Sequence, residues 1–384
     1  MAEGRILDCS DGRMKRMAKS KIELRKKKYF NLSSQIAQFD NTQLYSLLND
    51  NQLDKSSSGW GINNTITFGK HRVFVKSIPI TDAEHDNMFS TKNLYNLPTQ
   101  YSYGIGSMGF GSFRELITYI KTTNWVLEGS ITTFPLMYHY RIIPFISHQK
   151  DIDEAQLESY VDYWGGNSNV RKYFIDRAKA NYELVLFLEH IPFTLEAWLK
   201  ENPDRLEKPL NDLRKTINFL RKQEIIHFDA HFRNVLTDGD QIYLTDFGLA
   251  LDKSFTLTQE EKSFFEQNIF YDYGEVLRNI GHIIQWSYDL SSQSDKHKIL
   301  EKYKIRTDLK PHELRSILLD NIEDIQNNRM IDIDDFFVAS IVKYRSIIAL
   351  MQNFFSDLID NKKKDTKLNH IKLQQLLEET GFSN

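Results

Sequence analysis

Residues 226–248 read IHFDAHFRNVLTDGDQIYLTDFG, and this stretch is the most informative part of the chain. Residues 235–237 and 241–244 have the short, β-branched and aromatic character of paired strands. Asp238-Gly239 between them is a tight-hairpin signal, because both residues tolerate the left-handed backbone of such turns. The stretch therefore predicts a polar loop, then a hairpin, then a second acidic turn.

Three polar residues of this stretch have the types and the order that phosphoryl transfer uses. Asp229 can orient an attacking hydroxyl, while Asn234 and Asp246 can hold Mg²⁺ on the phosphates of a nucleotide. A His-x-Asp or an Asp-Phe-Gly alone is a weak signal, but both together, with the asparagine and the hairpin between them, are specific. A solvated surface hairpin and an inactive, degenerate site are the alternatives.

The order of loop, hairpin and Asp-Phe-Gly resembles the catalytic core of the protein-kinase-like superfamily, especially its divergent bacterial branches. His231, two residues after Asp229, resembles the aminoglycoside- and choline-kinase branch, since conventional protein kinases tend to carry lysine there. The resemblance implies an α+β, two-lobed protein-kinase-like fold, with a small antiparallel-sheet N-lobe and a largely helical C-lobe. It also implies ATP and Mg²⁺ as cofactors.

The predicted organisation has three parts. Residues 1–50 form a basic N-terminal extension, residues 51–190 an N-lobe with a helical insertion over 151–182, and residues 191–384 a helical C-lobe. Residues 1–28 are rich in lysine and arginine, which predicts a solvated, partly helical arm or a site for an acidic partner. We expect this arm to be dispensable for ATP turnover.

The resemblance implies a strand lysine that reaches the ATP phosphates, and Lys76 is the candidate. Residues 71–76 are β-branched and aromatic, as in a strand. Alternation along a strand places Lys76 with Phe74 on one face and sends Val73 and Val75 into a core. An ordinary solvated lysine is the alternative.

Two glycine-rich segments are candidates for a phosphate-binding loop. Gly59 and Gly61 precede the Lys76 strand, where the resemblance implies such a loop, and glycine lets the backbone approach phosphate oxygens. Residues 104–111 carry more glycines but follow Lys76, which is the wrong order for a kinase-type loop. We interpret them as a mobile loop beside the cleft, with phosphate contact as the alternative.

A helix is predicted over residues 112–126, because apolar residues recur there at helical spacing. In the resembled fold a helix at this place carries a glutamate that pairs with the strand lysine. Glu115 is the best candidate for that role, with Glu84 and Glu128 as rivals. It lies off the apolar stripe, which suits either a cleft-facing partner of Lys76 or plain solvent.

Residues 184–192 form an apolar strand that ends at Pro192, since proline interrupts strand pairing. In the resembled fold the backbone at Glu189 and Ile191 hydrogen-bonds the adenine edge; a buried strand without a ligand is the alternative. Further along, Asp272 matches the buried aspartate that braces the catalytic loop in this fold, or it is a local helix cap.

Composition restricts the class of protein. The formal net charge of −3 excludes a general affinity for nucleic acid. The single cysteine, Cys9, predicts a reducing, cytoplasmic compartment. No apolar run is long enough for a membrane span, and the polar start does not resemble a signal peptide.

The sequence predicts an ATP- and Mg²⁺-dependent phosphotransferase, in first place an atypical bacterial-type Ser/Thr protein kinase. A small-molecule hydroxyl kinase of the aminoglycoside or choline type has almost equal weight. The same residues also suit a non-catalytic nucleotide-binding scaffold or an AMP transferase. The segment between Gly248 and Thr258 is too short to dock an extended peptide, so we expect substrate selection in the helices after Tyr271.

Overall fold

The computed structural model describes residues 4–50, 62–144, 152–306, 308–359 and 363–383. The chain is α+β, with a small antiparallel sheet and a largely helical remainder, and it is 56% helix. This confirms the predicted fold class at that coarse level. Contacts along the chain divide it into two units: unit 1 is Met1–Met88, Leu116–Asp151 and Asp176–His190, and unit 2 is Phe89–Glu115, Ile152–Ile175 and Ile191–Asn384.

Unit 1 combines helices with one four-stranded sheet. Its elements, two of which it shares with unit 2, are α1 (Gly4–Ala37), α2 (Asn41–Asp50), β1 (Ile62–Phe68), β2 (His71–Ile80), α3 (Asp82–Asp86), α4 (Ser112–Glu128, from Leu116), β3 (Met137–Pro144), the end of α6 (Ser168–Ala178, from Asp176) and β4 (Tyr182–Glu189). The strand order is β1-β2-β4-β3, and each neighbouring pair is antiparallel.

The alternation predicted around Lys76 is confirmed. Val73 and Val75 are 0% and 1% exposed, whereas Phe74 and Lys76 are only partly buried. The strand is longer than expected and passes through Pro79, which pairs with Glu183 of β4. Strand β2 therefore presents Lys76 on the face opposite the core of unit 1.

A buried ion pair joins α1 to the end of β4. The Arg25 guanidinium donates to the Glu189 carboxylate at 2.8 and 3.1 Å, and to the carbonyl oxygens of Thr132 and Phe134. Both side chains of the pair are under 9% exposed. The prediction that residues 1–28 form a solvated arm is therefore wrong at Arg25, which belongs to the core of unit 1, while the dispensability of these residues for ATP turnover stays a prediction.

Unit 2 is mostly helical. Besides the starts of α4 and α6 it contains α5 (Glu154–Tyr163), β5 (Phe193–Thr194), α7 (Leu195–Glu201), α8 (Glu207–Lys222), β6 (Ile225–Ile226), β7 (Val235–Thr237), β8 (Ile242–Leu244), β9 (Leu251–Asp252), α9 (Gln259–Asn268), α10 (Tyr271–Ile280), α11 (His282–Leu290), α12 (Gln293–Lys302), α13 (Pro311–Asp320), α14 (Ile322–Asn327), α15 (Asp335–Ile359) and α16 (His370–Thr380). Short 3₁₀ turns lie at Thr99–Tyr103 and Pro203–Arg205.

The local elements predicted around the polar loop are present. Strands β7 and β8 pair antiparallel across the Asp238-Gly239 turn, in which Gly239 has a φ of 90°. Helix α8 delivers the buried strand β6 immediately before the loop. Helix α9 begins with a capping box formed by Thr258 and Glu261. In the described part of the chain, no helix is both long and apolar enough to cross a membrane.

Arg25→Ala should lower the free energy of unfolding by about 3–5 kcal/mol, because the buried Glu189 carboxylate would lose its cation. Lys26→Ala is the matched control on the same helix. Lys26 lies 3.6 Å from the exposed Glu23, so we expect a loss below about 1 kcal/mol. Urea unfolding measures both variants, and equal losses would contradict a core role for Arg25.

Candidate active site

The loop that carries Asp229 is held by a buried carboxylate of α10. Asp272 is 3% exposed; it accepts the His227 amide at 2.7 Å and the Phe228 amide at 2.9 Å. Burial raises the pKa of Asp272 to about 7, although the two amides act in the opposite direction. The predicted bracing role of Asp272 is confirmed, and a merely local helix cap does not describe it.

His227 ties the same loop to the strand that leads into Asp246. Its Nδ1 accepts the Asp229 amide at 3.2 Å, so the ring proton belongs on Nε2, which donates to the Thr245 carbonyl at 3.0 Å. The imidazole is fully buried and meets the Phe247 ring edge-on at 5.3 Å. Its role here is therefore structural.

Two residues of the site have a left-handed backbone without being glycine. Phe228 has a φ of 63° and Asp246 a φ of 66°. Such a conformation costs roughly 1–2 kcal/mol for an L-residue and persists only where packing enforces it. The buried Phe228 ring stacks on Phe264 at 5.4 Å and contacts Tyr271 at 5.0 Å. This aromatic packing offsets the strain and fixes the direction of the next residue, Asp229.

The Asp229 carboxylate lies between Asn234 and His231. Asn234 Nδ2 donates to Asp229 Oδ2 at 2.8 Å and to its carbonyl at 3.1 Å, which leaves the amide oxygen of Asn234 for another partner. The backbone N–H of Asn234 donates to His231 Nδ1 at 3.2 Å, and His231 Nε2 is 3.4 Å from Asp229 Oδ1. Burial lowers the pKa of His231, so this imidazole is neutral at pH 7.

Negative charge accumulates around Asp229. Burial raises the pKa of its carboxyl well above the ordinary value, and Asp246 and then Glu275 add to the effect. The Asn234 hydrogen bond and Arg233 oppose it more weakly. Two neighbouring carboxylates disfavour each other's ionised form, and a cation beside them favours it.

Asn234 and Asp246 fit a cation that is shared with phosphate. Mg²⁺ prefers oxygen ligands and is usually held by one or two carboxylates together with substrate phosphates. Within the described residues, no group of three or more His, Cys, Asp or Glu side chains could hold a metal ion. Asn234 and Asp246 themselves supply an amide oxygen and a carboxylate, which are ligand types that suit Mg²⁺.

Glu115 lies beside the turn that follows Asp246. Its carboxylate is 5% exposed, and a Cβ built on Gly248 would lie 3.3 Å from Glu115 Oε2 and 3.6 Å from Asp246 Oδ1. The alternative of a solvated Glu115 is therefore wrong. The predicted apolar stripe of α4 is also incomplete, since Thr118 and Thr122 are fully buried on this helix.

A segment that we name the strap, residues 104–111, covers one side of the site within unit 2. A Cβ built on Gly104, whose φ is 63°, would overlap Asp229 Oδ1 and lie 3.3 Å from the Phe228 carbonyl. A Cβ on Gly109 would lie 2.7 Å from the Gly248 carbonyl, and the Phe110 amide donates to that carbonyl at 3.3 Å. Only glycine allows the strap to approach these groups so closely.

Both ends of the strap are anchored in unit 2. Before it, the buried Tyr103 ring packs on Phe228 and Tyr271, and its hydroxyl donates to Asn268 at 3.2 Å. After it, the buried Arg114 forms a 2.6 Å ion pair with Glu261. The strap is therefore anchored at both ends beside Asp229. Its contact with Asp229 was not predicted, and the high glycine content of residues 104–111 was the available signal in the sequence.

The remaining predicted site residues are placed as follows. Lys76 lies on β2 of unit 1, whereas Glu115 belongs to unit 2, so their pairing stays a prediction. Gly59 and Gly61 lie outside the described residues. The Glu189 amide donates to the Leu136 carbonyl at 2.7 Å, which leaves only its carbonyl for an adenine edge. The adenine contact of Ile191 stays a prediction.

The two rivals of Glu115 for the pairing with Lys76, Glu84 and Glu128, both lie in unit 1. Glu84 is buried and closes the capping box of α3 with Thr81. Glu128 is exposed at the end of α4.

Among known proteins, no family model matches the chain, and no curated protein matches it. Chemical inference about this site therefore rests on the geometry around Asp229.

Gly104→Ala should lower the free energy of unfolding by roughly 2–4 kcal/mol, because its Cβ would push Asp229 away from Asn234 and break a hydrogen bond to a charged group. Gly106→Ala is the matched control. Gly106 also has a positive φ, 90°, but a Cβ there meets nothing within 4 Å, so we expect about 1 kcal/mol. Urea unfolding tests the difference, and equal losses would show that the strap does not press on Asp229.

Proposed function

We propose that this protein is an ATP- and Mg²⁺-dependent phosphotransferase with a two-lobed, kinase-like fold, in which unit 1 supplies the sheet lobe and unit 2 the helical lobe. The observation that carries the proposal is the environment of the Asp229 carboxylate. Asn234 donates a hydrogen bond to this carboxylate, and the nearby charge of Asp246 helps to raise its pKa. Phosphoryl transfer needs little covalent chemistry from a protein, so positioned groups of this kind account for most of the catalysis.

The proposed reaction transfers the γ-phosphoryl group of ATP to a hydroxyl. The acceptor oxygen forms a bond to the γ-phosphorus, the bond from that phosphorus to the bridging oxygen of ADP breaks, and the hydroxyl proton passes to Asp229. A carboxylate with a raised pKa accepts a proton more readily than an ordinary one. The neutral His231 leaves the Asp229 charge uncompensated and supports its orientation.

Asn234 and Asp246 would hold Mg²⁺ through the amide oxygen and the carboxylate. Bound to the phosphates, Mg²⁺ neutralises the charge that develops there. Lys76 as the phosphate contact, and Glu115 as its partner, remain part of the proposal on the strength of the kinase resemblance.

A small-molecule hydroxyl is the better supported acceptor. The segment after Asp-Phe-Gly is packed inward, since Leu249, Leu251 and Phe255 are at most 6% exposed. Strand β9 within it pairs with β6 along one edge. A protein hydroxyl, as for an atypical Ser/Thr kinase, is the second candidate and would need a docking surface elsewhere, such as the helices after Tyr271.

Transfer from labelled ATP tests the proposal. With Mg²⁺ and fractionated cell extract, we expect label from γ-³²P-ATP in small-molecule fractions; label on a discrete protein band would instead support a protein kinase. Label from α-³²P-ATP would indicate AMP transfer. If the protein binds Mg²⁺-ATP but transfers and hydrolyses nothing, the scaffold alternative replaces the enzyme.

Asp229→Asn should lower turnover by roughly 10²–10⁴ and leave ATP affinity nearly unchanged, because the lost group acts on the acceptor. Asp204→Asn, at an exposed aspartate of unit 2, is the matched control and should be neutral. Asp229 must be ionised to act as the base, and its pKa is raised. As the pH is lowered, the wild-type rate should therefore begin to fall at a higher pH than it would with an ordinary aspartate as the base. A flat acid limb, or full activity in Asp229→Asn, would refute the assigned role.

A further inference from the structure

We propose that a cleft in unit 2 binds an extended peptide segment of a partner protein, with a basic, an apolar and an acidic side chain at its first, third and fifth positions. We name this site the hairpin cleft. It is lined by residues from 198–215, on α7, α8 and the turn between them, and from 237–242 of the β7–β8 hairpin. None of its lining residues belongs to the loop of Asp229 or the turn of Asp246, so the inference goes beyond the proposed function and does not depend on it.

The hairpin cleft has the size and the apolar base of a ligand site. Its volume is about 520 Å³, within the range of roughly 300–1,000 Å³ that is usual for ligand-binding clefts. Helix α7 packs against β7 and α8 against β8, so secondary structure holds the walls. Ile242 is 1% exposed, Pro209 is buried, and the Trp198 ring is half-buried. This part of the cleft fits an apolar side chain.

The Trp198 indole offers the cleft a hydrogen-bond donor. Its Nε1 lies 3.8 Å from the position that a Cβ on Gly239 would take, at the tip of the hairpin. No hydrogen bond joins this N–H to another of the described residues. A largely buried indole N–H usually has an acceptor, and the carbonyl of a peptide is a suitable one.

Helix α8 adds three polar side chains in the order acid, amide, cation. Glu207, Asn211 and Lys215 all line the cleft and are spaced four residues apart, so they lie on one face of the helix. Within the described part of the chain, none of the three side chains forms a hydrogen bond or an ion pair. The helix therefore presents a negative end, a neutral centre and a positive end to a ligand.

The other charges of the cleft are paired or lie on the hairpin. Lys208 is 2.7 Å from Asp212, and Arg205 is 3.4 Å from Asp204. Asp240 lies at the hairpin tip, where its amide donates to Asp238 at 3.1 Å. All four acids and three cations of the lining together give a formal charge of −1. The cleft as a whole therefore does not select a polyanion, and its unpaired acid and cation fit a ligand that carries both signs.

The spacing of that acid and cation decides the class of ligand. Glu207 and Lys215 are about 12 Å apart along α8, because each helical residue rises about 1.5 Å. The two charges of a free amino acid are only a few bonds apart and cannot reach both. In an extended peptide the first, third and fifth side chains share a face, and the first and fifth are about 13 Å apart. A basic first and an acidic fifth residue therefore match Glu207 and Lys215, while the Asn211 amide can bond the peptide backbone.

Peptide binding can be measured without nucleotide, on the full-length protein, with acetyl-Gly-Arg-Ser-Leu-Ser-Glu-Gly-amide. The matched control, acetyl-Gly-Ser-Arg-Leu-Glu-Ser-Gly-amide, has the same composition but places both charges on the face opposite to its leucine. Calorimetric titration should show roughly tenfold tighter binding of the first peptide, the worth of two exposed ion pairs. Of the five indole N–H signals, that of Trp198 should shift, with Trp198→Phe for assignment. Equal affinities, or an unmoved Trp198 signal, would overturn the proposal.

A charge exchange tests the contact with Lys215. Lys215→Glu should weaken binding of the first peptide roughly tenfold, and lysine in place of the peptide's glutamate should restore it. Lys222→Glu, at an exposed lysine of α8 that does not line the cleft, should leave the affinity unchanged. Wild-type affinity in Lys215→Glu, or no recovery with the lysine peptide, would contradict the inference. These titrations contain no ATP, so their outcome is separate from the success or failure of the proposed phosphotransferase.

Discussion

The site depends on one buried carboxylate and the two amides that it accepts. Asp272 holds the amides of His227 and Phe228, and this pair of hydrogen bonds turns the chain sharply before Asp229. The turn forces Phe228 into a left-handed conformation, which the surrounding aromatic rings stabilise. Without that brace, the strained backbone would relax and Asp229 would lose its orientation toward Asn234.

The charges of two aspartates favour a cation at the site. Asp229 and Asp246 are close enough to disfavour each other's ionisation, which a cation on the nucleotide phosphates would relieve. A few residues away, Arg278 is paired with the buried Glu275 at 2.6 Å.

The sequence predicted the features that local rules determine. The hairpin around Gly239 and the alternation at Lys76 follow from turn chemistry and strand period. Contacts between distant segments could not be predicted, because a single sequence does not show which buried polar groups find partners. Arg25 therefore looked like part of a solvated arm, and the approach of the strap to Asp229 was visible only as an excess of glycine.

The central claim is that Asp246 helps to hold a divalent cation on a bound nucleotide. Electron paramagnetic resonance of Mn²⁺, used in place of Mg²⁺, measures this directly with a non-hydrolysable ATP analogue. The wild type should bind Mn²⁺ with the analogue more tightly than the analogue does alone. Asp246→Asn should lose at least tenfold of that affinity, while the exposed Asp204→Asn keeps it. Equal Mn²⁺ binding in the wild type and Asp246→Asn would contradict the claim.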